Sequence, residues 1–242
     1  MMKRNVNIFN SKNGISAFFA QELAQLSQSK SENDYVSLAL SGGSTPKAIF
    51  EYLSGSGSEK IHWNKIRFFW GDERCVPPDD KESNFRMTKE SLFEKISVPS
   101  QNIFRIKGED DPLAEAKRYS KLVADYVPSV ENIPVFDIVM LGLGEDGHTA
   151  SIFPPYINLF DSKNLFESTR NPYTSQKRIT ATGRIINNAH NVFFLVTGSS
   201  KAEMVARILK KQEGYEKLPA SRVMPQSKNL FWLLDEQAAE LL

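Results

Sequence analysis

The sequence predicts an α/β fold, a mostly parallel open sheet with helices on both faces. Three observations carry that expectation. Short apolar runs alternate with longer amphipathic stretches along most of the chain, the pattern of repeated strand–helix units. The run Phe136 to Leu141 is apolar without alternation, as expected of a strand covered on both faces. Four of the apolar runs end in short polar loops, SGGSTP, GDER, GLGEDGH and TGSSK. Loops at the carboxyl ends of parallel strands line the ligand crevice of open sheets.

The elements follow in order. Val6 to Phe9 reads as a first strand. Ile15, Phe18, Phe19, Leu23 and Leu26 recur at helical spacing, with Asn13 as a candidate cap. Tyr35 to Leu40 is a strand that runs into SGGSTP, and a helix is expected from Pro46 to Leu53. Ile66 to Trp70 is the next strand, and Asn84 to Phe93 is expected to be helical. Ile103 to Ile106 reads as a short strand. Leu113 to Val127 is a helix bounded by Asp111 and Pro128. After Phe136 to Leu141, the polar segment Tyr156 to Gln176 is assigned little regular structure. Arg178 to Thr182 and Val192 to Thr197 read as strands, Ser199 to Leu209 as a helix, Leu230 to Leu234 as a last strand, and AAELL as a short closing helix.

Composition bounds the function. The 242 residues are 40% hydrophobic and 24% charged, an ordinary globular mixture. Thirty Lys and Arg face 29 Asp and Glu, a formal net charge of +1. No global field favours nucleic acid or membrane, so neither is expected as a partner and anion binding must be local. Cys75 is the only cysteine, which excludes an internal disulfide and fits a reducing, cytoplasmic location. The basic start is followed by no long apolar run, so no signal peptide is expected, and no stretch approaches the ~20 apolar residues that span a bilayer. No repeat or composition shift divides the chain, and residues 1–242 read as one domain.

Four loops carry the chemistry. SGGSTP (Ser41 to Pro46) has the pattern of an anion cradle. Gly42 and Gly43 permit close backbone approach, Ser44 and Thr45 offer hydroxyls, and the following helix start presents free N–H groups. The same residues also make a tight strand-to-helix turn. The GxxxxGK[ST] spacing of an ATP loop is absent. In TGSSK, Lys201 is a counter-charge for a phosphate, or a solvated lysine. GLGEDG matches GxGxxG, but HTASIFPP ends in two prolines and cannot continue as a long helix, so no dinucleotide is expected.

His148 is the candidate catalytic base. It sits in the Gly-rich loop two residues after Asp146, and imidazole exchanges protons near neutrality. A nearby carboxylate can fix its tautomer. His62 and His190 lie in connecting segments and read as structural or surface residues. In GDER, Arg74 suits bidentate phosphate binding or oxyanion stabilisation, or else pairs with Asp72 and Glu73. No metal-ligand spacing and no GxSxG elbow occur, so neither a metal nor a serine nucleophile is inferred, and hydrolysis here would use activated water.

Taken together, LALSGGSTPKAIFEYL, FFWGDERCVPPDDKESNFRM, DIVMLGLGEDGHTASIFP, NNAHNVFFLVTGSSKAEMV, LPASRV and WLLD resemble the 6-phosphogluconolactonase family, in family order from Leu38 to Asp235. The resemblance implies a fold like those of glucosamine-6-phosphate deaminases and ribose-5-phosphate isomerases. It implies cofactor-free hydrolysis of 6-phospho-D-glucono-1,5-lactone in the oxidative pentose phosphate pathway. It maps the family's base onto His148, phosphate-site residues onto Ser41 through Thr45, and charged binding residues onto Arg74 and Lys201. Arg178 matches the arginine of the family's ERVTL-like strand, with Arg170 close by, and the segment 156–176 departs from the family pattern. Two other readings stand beside this one. A glucosamine-6-phosphate deaminase typically carries an FNEP-like segment where this chain has HTASIFPP. The other is a non-catalytic sugar-phosphate-binding module, which usually comes with a DNA-binding domain.

Overall fold

The computed structural model describes residues 5–242, and the basic start at Lys3 and Arg4 lies outside the described residues. β1 (Asn5–Phe9) leads to α1 (Lys12–Ser29). The cap of α1 is Ser11, not Asn13. The Ser11 hydroxyl accepts the Gly14 N–H, and Asn13 already lies inside the helix. β2 (Val36–Leu40) is buried at every position and leads to α2 (Ser44–Leu53). That helix begins two residues earlier than expected, so Ser44 and Thr45 belong to its first turn. β3 (Ile66–Trp70) is followed after one residue by the short β4 (Asp72–Arg74), which the sequence reading missed.

The stretch read as one helix from Asn84 is α3 (Asn84–Thr88) continuing as a π-helical turn (Lys89–Phe93). The expected strand at 103–106 is a single bridge between Ile103 and Phe68. α4 (Pro112–Tyr126) is capped by Asp111, whose carboxylate accepts the Ala114 N–H. A minimal hairpin, β5 (Ser129–Val130) with β6 (Ile133–Pro134), precedes β7 (Ile138–Leu141).

The polar segment 156–176 is more regular than expected. It holds 3-10 turns (Pro154–Asp161) and β8 (Phe166–Arg170), which pairs antiparallel with β9 (Lys177–Ala181). β8 reads FESTR because only Phe166 is buried, so its sequence carries no apolar alternation. The short α5 (Gly183–Ile186), β10 (Asn191–Val196), a 3-10 turn (Ser199–Lys201), α6 (Ala202–Leu209) and β11 (Leu230–Asp235) complete the order. AAELL forms turns, not a helix; Asp235 accepts the Ala238 N–H and too few residues follow to propagate one.

Six strands form a wholly parallel sheet in the order β1-β11-β10-β7-β2-β3. Its central strands bury nearly every side chain, and aromatic pairs such as Phe19–Phe193 and Phe194–Trp232 pack the core. A separate antiparallel sheet, β4-β9-β8, joins it through Gly71, whose N–H bonds to Leu40 of β2 and whose carbonyl accepts the Ala181 N–H of β9. That joint brings β9 beside the carboxyl ends of the parallel strands. No helix among the described residues is long and apolar enough to cross a membrane.

Candidate functional site

A cleft of about 200 Å³ opens where the strand ends converge. Ser41, Gly42 and Gly43 line it after β2, Asp72 and Arg74 from β4, Gly142, Leu143, Gly144 and His148 after β7, Arg178 from β9, and Lys201 after β10. Asn84 and Ala150 complete the wall. Of the residues expected at a site, Ser44, Thr45 and Asp146 do not line this cleft. Ser44 is exposed, and Thr45 is buried with its hydroxyl 2.8 Å from that of Thr197. That contact ties the loop after β2 to the loop after β10.

His148 sits with its carboxylate partner behind it. Its Nδ1 lies 2.6 Å from Asp146 Oδ1, and its backbone N–H donates to the same oxygen at 3.1 Å. A carboxylate acceptor requires the proton on Nδ1, so neutral His148 keeps its lone pair on Nε2, which makes no hydrogen bond among the described residues. The ring packs on buried Phe153, centroids 4.5 Å apart. Burial pushes the Asp146 carboxyl upward, but the hydrogen bond and charge of His148, the His148 backbone N–H and the Tyr173 hydroxyl outweigh it and hold it down at about 2. Asp146 is therefore ionised throughout the physiological range. The loop is bound tightly: Gly144 donates to the His148 carbonyl, and the Thr149 hydroxyl to the Gly142 carbonyl. Any side chain at Gly144 would displace the ring, because a Cβ would stand 2.0 Å from His148 Nδ1. The LPASRV segment buttresses the loop through Ala220 N–H to the Gly147 carbonyl.

The acids of GDER do not neutralise its arginine. Glu73 is buried and accepts the backbone N–H groups of Arg74, Asn84 and Phe85 and the Ser83 hydroxyl, which pins β4 to the start of α3. Burial raises its pKa despite those donors. Asp72, also buried, accepts the Ser151 hydroxyl at 2.6 Å. Asn84 donates to the Asp72 carbonyl, and its amide fills the space a Gly42 Cβ would need, with Oδ1 only 1.9 Å from that position.

The cations of the cleft are under-partnered. Arg74 and Arg178 face each other across the β4–β9 register. Neither forms an ion pair among the described residues, and both Nε atoms are buried without a partner. Among the described residues the Arg74 guanidinium donates only to the Glu82 carbonyl. Burial, and next the charge of Arg74, pull the Arg178 guanidinium below its ordinary value. Two like charges directly opposite on a strand pair are unfavourable by themselves, so the site is charged in advance for an anion. Lys201 also faces the cleft, with a loose 3.6 Å contact to the exposed Glu145. His62 and His190 are exposed and do not line the cleft.

Reading the sequence missed Asn84, Ser151 and Asp235 as site supports. Buried Asp235 accepts the Gly198 N–H through both oxygens and so shapes the loop that carries Lys201. Its signal was the WLLD ending, a carboxylate closing an otherwise apolar strand. Among the described residues no group of three or more His, Cys, Asp or Glu is arranged to hold a metal ion.

Comparison with known proteins gives this site a family context. Residues 10–232 match the family described as glucosamine-6-phosphate isomerases/6-phosphogluconolactonase. The chain is 45% identical to a 6-phosphogluconolactonase of Treponema pallidum over 71% of each chain, and 40% identical to that of Haemophilus influenzae over 92% of this chain and 93% of that one. The structure of 6-phosphogluconolactonase from Trypanosoma brucei matches all of both chains with a TM-score of 0.83 at 31% identity.

Proposed function

This chain belongs to the glucosamine-6-phosphate isomerase/6-phosphogluconolactonase family and is a lactone-hydrolysing enzyme of it; from that premise we propose that its cleft hydrolyses 6-phospho-D-glucono-1,5-lactone by His148-assisted attack of water. The observation that carries this reading is the pairing of an Nε2-basic histidine with three cations in one small cleft.

Water attacks the lactone carbonyl carbon C1 and gives its proton to His148 Nε2. Asp146 holds the ring and stabilises the imidazolium as it forms. The bond from C1 to the ring oxygen then breaks, and that oxygen, leaving as the C5 alkoxide, takes the proton back from His148. The products are 6-phosphogluconate and a proton released by its new carboxyl group. A δ-lactone is an activated ester, so no covalent nucleophile is needed. Ser41, Gly42, Gly43, Arg74 and Lys201 hold the phosphate, with Arg178 adding to the positive field in which charge develops at the carbonyl oxygen. Anchoring the phosphate confines the lactone to a reactive pose. Asp72, locked by Ser151, sets the orientation of Asn84 against the glycine loop.

The test is lactone hydrolysis measured above the rapid spontaneous background, by pH-stat or a coupled assay. His148→Ala is expected to fold, still bind 6-phosphogluconate, and lose on the order of 10²–10⁴ in kcat. Near-parental turnover in that variant removes His148 from the chemistry and shifts the base to Asp72.

A further inference from the structure

The hairpin between β8 and β9 reaches the catalytic loop through one side chain. Tyr173 sits at its tip with 71% of its surface exposed, yet its hydroxyl lies 3.0 Å from Asp146 Oδ2. Oδ1 of the same carboxylate faces His148 Nδ1. The three groups form a chain, phenol to carboxylate to imidazole, in which each carboxylate oxygen has its own donor. Neither Tyr173 nor Asp146 lines the cleft, whereas His148 does.

We propose that Tyr173 is a positioning residue for the reaction assigned above: it fixes the rotation of the Asp146 carboxylate, and through it the ring of His148. The proposal rests on that functional reading. The hairpin tip is built to present the phenol. Asn171 Oδ1 accepts the N–H groups of both Tyr173 and Thr174, and Ser175 closes the turn with a left-handed φ of 61°. That conformation is costly for a residue with a side chain and persists only where its surroundings demand it. The tip is also anchored at its base, where the Gln176 amide donates to Glu82 Oε2, and Glu82 in turn accepts Arg74 through its carbonyl. One short hairpin thus touches the catalytic pair at its tip and, through Arg178 on β9, the cationic wall at its stem. The hydrogen bond to Asp146, with the Asp146 charge, raises the pKa of the phenol, so Tyr173 remains a donor. A carboxylate free to rotate about its last bond would present two equivalent oxygens to Nδ1. Occupying Oδ2 removes that freedom. It does so from a segment that the sequence alone marks as divergent.

The test compares the parent with Tyr173→Phe, Asp146→Asn and the double variant, reading kcat and KM for lactone hydrolysis. Tyr173→Phe keeps the exposed ring and loses only the hydroxyl. It is expected to lower kcat about tenfold, the equivalent of one hydrogen bond to a charged group, with KM held within about twofold. In the Asp146→Asn background the same change should alter kcat less than about twofold, because a residue acting through Asp146 has nothing left to position. With only three histidines in the chain, the Nδ1 proton of His148 can be assigned by NMR, and it should shift in Tyr173→Phe. An unchanged kcat and Nδ1 resonance, or an equal loss of kcat in both backgrounds, overturns the role of Tyr173. A parent enzyme without lactone hydrolysis overturns the functional reading and this role together; an active parent beside an unaffected Tyr173→Phe overturns this role alone.

Discussion

Gly144→Ala tests whether the position of the His148 ring limits the rate. The added Cβ would lie 2.0 Å from Nδ1, 2.3 Å from Cε1 and 2.6 Å from Asp146 Oδ1. Ordinary contact needs about 3.5 Å, so the ring must retreat by about 1.5 Å or the loop must open by as much. His148 is about one-third exposed and has room to move outward, so the cost in stability should fall near the low end of the roughly 1–3 kcal/mol typical of overpacking. The cost in catalysis should be larger, because a displacement of about 1 Å in a reacting group is enough for a 10²-fold loss. Lactone hydrolysis should therefore fall about 10²-fold or more in kcat. Binding of 6-phosphogluconate should change little, since Arg74, Arg178 and Lys201 stand on other elements. Gly55→Ala, whose Cβ would meet only carbonyl oxygens at 3.7 and 3.8 Å, controls for the loss of a glycine elsewhere. A Gly144→Ala enzyme with kcat within about threefold of the parent refutes the argument that ring position is rate-determining.

Further predictions concern charge. Arg178→Ala should weaken 6-phosphogluconate binding by about 10- to 150-fold, one charge-assisted contact, while thermal stability stays level or rises because the Arg74 charge opposite is relieved; calorimetric titration and a melting curve check both halves, and a large drop in Tm would identify Arg178 as structural instead. Lys201→Ala should weaken the same binding, and added salt should reproduce part of the loss in the parent. The pKa of Asp146 is lowered from 3.8 to about 2, so its contribution to stability is complete above the ordinary value and lost as pH falls through about 2. The Tm advantage of the parent over Asp146→Asn should therefore shrink between about pH 4 and pH 2, and a gap that stays constant or widens over that range contradicts the pairing.

Much of this architecture was legible in the sequence because it rests on burial. β2, β7 and β10 are covered on both faces, and unbroken apolar runs announce such strands. The loops that follow them were legible for the same reason, since each begins where the apolar run stops. What escaped was structure whose determinants lie elsewhere in the chain. β4 spells DER and β8 spells FESTR, and neither has a strand's pattern; they are strands because β9 pairs with both. The roles of Glu73 and Asn84 were hidden likewise. An acid beside an arginine suggests an ion pair, but Glu73 turns to backbone amides 11 and 12 residues on. Tyr173 reaches Asp146 across 27 residues through a turn that no local periodicity marks.

The pairing of β1 with β11 has a consequence for synthesis. The first strand lies at one edge of the sheet, and among the described residues its only neighbour in the main sheet is β11. Some 220 residues separate Phe9 from Leu230, so at roughly 5–20 residues per second the ribosome needs on the order of 10–45 s to deliver the partner. During that interval β1, with the apolar Val6 and Ile8, has no slot in the main sheet. The residues of the cleft come from β4, β9, the start of α3 and the loops after β2, β7 and β10, none from β1. Most of the catalytic surface can therefore assemble during elongation, while the docking of β1 waits for the C-terminal strand. A chain stalled before residue 230 would leave one strand edge of β10 open and β1 unpaired, two surfaces for a chaperone to cover.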